Sequence, residues 1–191
     1  RNLRTASNLV ALAKDRKEIK LISLDVTAEK SIKQIAANIK CKIDILVCNA
    51  GVLNGYGGLD DKAHHSQAIE AVLMTNIAGV FFTARSFLPH LIKKNSKSEE
   101  QSGTNGKIAV ISSIMGSQER AGSNAPIYRA SKAAATNLAR SLAIELAPSS
   151  IAVGAYHPGW VRTDMGGPSA AVSPQESAAG LLSRFDKLNI A

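Results

Sequence analysis

Tyr128 and Lys132 stand four residues apart in an alanine-rich run, a spacing that puts both side chains on one face of a helix. An ammonium group beside a phenol favours the ionised phenol, and a phenol with a lowered pKa serves as general acid and base near neutrality. A Tyr-x-x-x-Lys spacing also arises often by chance, and on an exposed helix it would be a plain surface pair. Its surroundings carry more weight. Ser112-Ser113 closes an apolar run upstream and brings a hydroxyl toward the same level as Tyr128; strand alternation alone does not choose between the two serines. Asn76 falls on the apolar face formed by Ile69, Val72, Leu73, Val80 and Thr83. There its amide must find partners or cost about 1 to 3 kcal/mol, so it either ties down a kink or holds a water in a functional network. Asn49-Ala50-Gly51 and Pro158-Gly159 follow apolar runs with little side-chain bulk. Each is an ordinary tight turn or a place where backbone approaches a ligand closely.

The elements that must position these residues follow from periodicity and punctuation. Residues 3–14 predict a helix, 19–24 a short buried strand, and Asp25-Val26-Thr27 a turn into a helix over 28–39. A second strand over 43–48 ends at Asn49-Ala50-Gly51 and the glycine-rich 54–58 loop, and a long helix spans 66–94. The polar stretch 95–106 predicts an exposed loop before a third strand over 107–112. Pro126 opens an alanine-rich helix that Pro148 stops near 147, 151–156 is the fourth strand, and a last helix runs from about 174 toward Lys187. Strands separated by helices specify a parallel sheet covered on both faces. In such sheets ligands bind beyond the carboxyl ends of the strands, where the residues singled out above fall.

With 191 residues, 45% hydrophobic and 20% charged, the chain is expected to form a single globular domain. Its formal charge of +8 comes from lysines interleaved with acidic residues; solvated faces and an anionic cofactor account for it better than nucleic acid, which is not expected as a partner. Cys41 and Cys48 match neither a disulfide framework nor a zinc site, and suggest a reducing compartment. His64-His65 has no further ligands nearby, so no metal site is expected and the pair is read as an exposed loop. The sequence lacks a run of eighteen consecutive apolar residues and does not open on a signal sequence; the expectation is a cytoplasmic protein without a membrane partner.

In order, Leu24-Asp25-Val26-Thr27, Cys48-Asn49-Ala50-Gly51, Asn76, Ile111-Ser112-Ser113, Tyr128-Arg129-Ala130-Ser131-Lys132 and 157–165, which reads His-Pro-Gly-Trp-Val-Arg-Thr-Asp-Met, resemble the short-chain dehydrogenase/reductase family. The last two runs look like its C-factor-like and sniffer-like carbonyl reductases. The resemblance implies a doubly wound, Rossmann-type α/β fold. It also implies an oxidoreductase that transfers hydride between a nicotinamide cofactor, NADP(H) rather than NAD(H), and a small-molecule carbonyl or alcohol. By it, Tyr128 would be the acid/base, Lys132 would lower the tyrosine pKa and hold the nicotinamide ribose, Ser113 would polarise the carbonyl, and Asn76 would complete a water relay. Asp25 and Val26 would border the adenine; Asn49, Ala50 and Gly51 would line the adenosine side; Pro158, Gly159, Val161 and Thr163 would frame the nicotinamide and its phosphate. Arg1 would meet the ribose 2'-phosphate, and 165–173 would be a flexible substrate lid. A homodimer through the helices beginning near Ser66 and Pro126 is implied as well.

Against that pattern the family's first two strands, its glycine-rich turn and its final strand are missing, so residues 1–191 are expected to be one such domain truncated at both ends. In the family's strand order the absent strands lie between 19–24 and 43–48, which therefore should not pair. A non-catalytic signalling protein of the same fold, or an inactive fragment, are the alternative readings.

Overall fold

The computed structural model describes residues 6–92 and 105–190. Three strands, β1 (Ile45–Cys48), β2 (Lys107–Ile111) and β3 (Ala152–Tyr156), form a parallel sheet in the order β1-β2-β3. Ile45 lies opposite Lys107, and Lys107 opposite Ala152. A strand sends alternate side chains to opposite faces, and the central strand shows what covers each. Ile108 and Val110 join a core with Val80, Ala84, Leu91, Ala135, Ala139, Leu142 and Leu146, which come from α4 (Gly79–Leu91) and α5 (Pro126–Leu146). Ala109 and Ile111 meet Phe185 of α6 (Pro174–Asp186) on the other face. The Lys107 ammonium donates to the carbonyls of Phe185 and Asp186 at 3.1 and 2.9 Å, so β2 also satisfies the end of α6. The fold is the expected doubly wound parallel α/β arrangement.

The remaining helices lie to the side of β1. Ile32 and Ala36 of α2 (Glu29–Asn38) pack on Phe87 of α4, and the Arg85 guanidinium reaches Glu29 at 2.6 Å. The helix α1 (Ser7–Lys14) buries no residue. The expected strand over 19–24 is corrected: the segment is irregular. Its apolar residues signalled burial rather than pairing, for Leu24 packs against the Ile32–Phe87 cluster while Ile22 stays 41% exposed. Its lack of pairing with β1 accords with the strand order expected from the sequence.

The helix expected over 66–94 is seen as three consecutive parts ending at Leu91: α3 (Ser66–Leu73), a π-helical turn (Met74–Ala78) and α4; residues 93 and 94 lie outside the described residues. The wide turn advances the buried face, which runs through Val72, Asn76, Val80, Ala84, Phe87 and Leu91. Leu73, expected on the inner face, is instead 39% exposed. Ser66–Leu91 is long and apolar enough to cross a membrane by length and composition, but Val80, Ala84 and Leu91 of this stretch are buried in the core against β2. Of the 95–106 loop only residues 105 and 106 are described.

Candidate active site

Two elements bring the predicted chemistry to the carboxyl end of β2. Pro126 starts α5 with its φ already helical, and the four-residue spacing turns Tyr128 and Lys132 inward, both buried. The Lys132 ammonium donates to the carbonyl of Ile111, the last residue of β2, at 2.8 Å and stands 5.7 Å from the Tyr128 ring centroid. Burial lowers its pKa from 10.5 to about 8. Ser113 follows β2; its hydroxyl caps a 3-10 turn by accepting from the Met115 N–H at 3.2 Å and lies close enough to the Tyr128 side chain for hydrogen bonding to pull the phenol's pKa down. Tyr128 itself is shifted upward, because desolvation outweighs that hydrogen bond. The phenol is thus not lowered by its lysine as the spacing predicts: Lys132 spends a hydrogen bond on Ile111, and burial holds the phenol in its neutral form.

Adjacent serines divide the labour. Ser112 points the other way and bonds the Lys132 carbonyl at 2.9 Å and the Thr136 hydroxyl at 2.7 Å, leaving Ser113 alone beside the phenol. Asn76 sits in the π-helical turn, a deformation frequent at functional sites. Its Oδ1 accepts from Val52 N–H at 2.9 Å, and its Nδ2 donates to Val52 carbonyl at 3.0 Å and to Ser131 Oγ at 2.9 Å. The Ser131 hydroxyl donates in turn to the Tyr128 carbonyl at 2.7 Å. Asn76 thus ties the turn after β1 to the helix that carries Tyr128.

That turn approaches the site closely. A Cβ on Gly51 would lie 3.3 Å from Lys132 Nζ and 3.5 Å from Asn76 Oδ1, so a larger residue there would press on the ammonium. Asn49 and Ala50 line a cleft of about 270 Å³ together with Val26, Leu24, Val47 and Thr75. Asp25 lies outside that lining; its carboxylate accepts from Thr27 N–H at 2.9 Å and Thr27 hydroxyl at 2.8 Å, which holds its pKa below the ordinary value. Pro158 follows β3 and accepts from the Ser177 hydroxyl at 2.7 Å, while Gly159 turns the chain at φ 88. Val161 bridges to Val172, and Thr163 caps a turn by accepting from Gly166 N–H at 3.2 Å. The 165–173 stretch is therefore strapped down at both ends, with Arg162 donating to the carbonyls of Ala170 and Ala171 at 2.9 and 3.1 Å. Arg1 lies outside the described residues.

Residues 1–172 match the family described as short chain dehydrogenase. The chain belongs to that family of oxidoreductases. This short-chain dehydrogenase is 33% identical over 148 residues to C-signal of Myxococcus xanthus, an alignment spanning 77% of the chain and 82% of its relative. Among solved structures it resembles the carbonyl reductase Sniffer of D. melanogaster, with a TM-score of 0.89, 30% identity, and coverage of 99% of this chain and 79% of that one. It is similar also to an NADPH-bound carbonyl reductase from chicken fatty liver, with a TM-score of 0.84, 30% identity, and coverage of 96% and 72%.

Three residues of this short-chain dehydrogenase escaped the sequence reading. Ser131 carries the link from Asn76 to Tyr128, and Arg129 holds the loop before α5 through four hydrogen bonds. Neither residue type announces such a role, since serine and arginine are ordinary on helices. His64, expected with His65 in an exposed loop, is half-buried, its Nε2 within 3.3 Å of the Gly57 carbonyl. The polar neighbours Asp60 and Asp61 pointed to solvent, but the Asp61 carboxylate instead accepts from the N–H groups of Gly57 and Ala63 and folds the loop back on itself.

Proposed function

We propose that this protein is an NADP(H)-dependent carbonyl reductase, running the same chemistry backward as an alcohol dehydrogenase. The observation that carries the proposal is the convergence of the Tyr128 phenol, the Ser113 hydroxyl and the Lys132 ammonium at one strand end. The residues present suit the two ends of a dinucleotide rather than its pyrophosphate, whose glycine-rich turn the sequence lacks: Gly51 comes close to Lys132, and Val26, Asn49 and Ala50 line a cleft at the end of β1. Tyr128, Lys132, Pro158, Gly159, Val161 and Thr163 would hold the nicotinamide end, and Asp25, Val26, Asn49, Ala50, Gly51 and Arg1 the adenosine end. The bound nicotinamide supplies or accepts the hydride.

The chain's own residues manage the proton. Tyr128, held neutral by burial, donates its phenolic proton to the carbonyl oxygen as hydride reaches the carbon, and Ser113 orients that oxygen by hydrogen bonding. The phenolate left behind is favoured by the ammonium of Lys132, whose pKa of about 8 keeps it mostly charged at neutral pH. Asn76 keeps Gly51 and Tyr128 in register through Val52 and Ser131. Similarity to two carbonyl reductases, one of them NADPH-bound, favours this substrate class and cofactor.

Trp160, the single tryptophan, is 57% exposed in the segment assigned to the nicotinamide. Titrating NADPH and NADH while following its fluorescence is expected to give saturable quenching with NADPH at lower concentration. Tighter NADH binding would reverse the cofactor assignment, and no quenching by either would remove the dinucleotide site. Identity to C-signal favours a second reading, a cofactor-binding signalling protein; full biological function in a Tyr128→Phe variant would select it.

A further inference from the structure

We infer that Arg129 is the positioning residue for the Ser113–Tyr128 pair: its guanidinium staples both ends of the loop that separates the two hydroxyls. The inference rests on the proposed role of that pair.

The loop leaves β2 at Ser113, makes a 3-10 turn (Ile114–Gly116) and re-enters regular structure at Pro126. Arg129 Nε donates to the Asn124 carbonyl at 2.8 Å and one terminal nitrogen donates to the Asn124 side-chain oxygen at 2.8 Å. The other terminal nitrogen donates to the carbonyls of Met115 and Arg120 at 3.3 and 3.1 Å. Four of the five N–H donors of a guanidinium are thereby spent on neutral oxygens, at the start, middle and end of the loop. Met115 is the residue whose N–H caps Ser113 Oγ, and Asn124 precedes Ala125, a left-handed non-glycine residue at φ 48 from which α5 begins. Among the described residues, the hydrogen bonds that tie 118–124 to other segments all end on Arg129. Gly122 runs close by the same group, since a Cβ there would collide with the guanidinium.

A lysine cannot replace this fork, because its three donors radiate from one atom and cannot span separated carbonyls. Without the staple the loop is held only at its ends, by the 3-10 turn and by the Ala125 N–H on the Tyr56 and Gly57 carbonyls, with 118–124 slack between them; a misplacement of about 1 Å in a reacting group costs about 100-fold in rate.

The test uses the full chain as wild type, Arg129→Ala, Arg129→Lys and Gly122→Ala, read by amide hydrogen exchange and by NADPH-linked carbonyl turnover. The expected result is faster exchange over 115–124 with the interior of α5 unchanged. With it, kcat should fall about 100-fold in both Arg129 variants while the NADPH dissociation constant holds. Guanidinium ion at sub-denaturing concentration should restore part of kcat to Arg129→Ala and none to wild type. Gly122→Ala, which only displaces the guanidinium, should fall in the same direction by less. Unchanged loop exchange in Arg129→Ala, or loosened exchange with kcat intact, would overturn the inference while leaving the reductase reading in place. If wild type turns over no carbonyl, the reductase reading fails instead, and loosened exchange in the variants still supports the staple.

Discussion

At the residue scale, burial and hydrogen bonding decide which member of each pair is free to react. Ser112 and Ser113 are chemically identical in sequence, and alternation along a strand could not choose between them. The choice is visible once Ser112 bonds Lys132 and Thr136 from the other face. The Tyr128–Lys132 spacing was legible because it needs only a helix; the upward direction of the phenol shift was not, because it depends on how much of the ring the fold covers. Burial of Lys132 has a measurable consequence. Its folded pKa of about 8 lies below the ordinary 10.5, so between those values the unfolded chain binds more protons. Stability from this group therefore rises with pH across that window, and the penalty is fully present below pH 8. In denaturant titrations the gap between wild type and Lys132→Met should narrow from pH 8 to pH 10. A constant gap would mean that the ammonium is not desolvated.

Between residues and fold stand the elements, and here the helices follow from the sequence better in existence than in phase. Each expected helix beyond 28 is present, but a π-helical turn adds a residue to the long helix and moves Leu73 outward. A fixed 3.6-residue period cannot anticipate that change. The 19–24 run failed for a different reason, since apolar composition specifies burial while a strand also requires a neighbour. α6 is the element most dependent on one side chain. Phe185, its one buried residue, packs on Tyr156 with ring centroids 4.9 Å apart. Phe185→Ala is expected to lower unfolding free energy by about 3 kcal/mol, with exchange protection lost first in α6. A loss confined to a few tenths of that, or spread evenly over the chain, would show that the remaining contacts of α6, from Lys107, Leu181 and Ser177, suffice to dock the helix.

The whole molecule is a doubly wound sheet whose candidate site gathers at the carboxyl ends of its strands, the place that strand-helix alternation in the sequence already marks. The sequence carried the motif residues to the correct strand ends. It could not show the network from Val52 through Asn76 and Ser131 to Tyr128, because nothing in residue type links positions so far apart. One outward face extends this picture. Leu73 and Phe81 are each 39% exposed beside Ile77 and Leu138, on the helices assigned to pairing. Sedimentation should find a homodimer that Phe81→Lys converts to monomer; a wild-type monomer would assign the face no such partner. The central claim is that Tyr128 moves the proton, and comparing carbonyl reduction by wild type and Tyr128→Phe with NADPH tests it most directly. The account predicts that alcohol formation falls to background in the variant while NADPH still quenches Trp160. Turnover at the wild-type rate in Tyr128→Phe would contradict it.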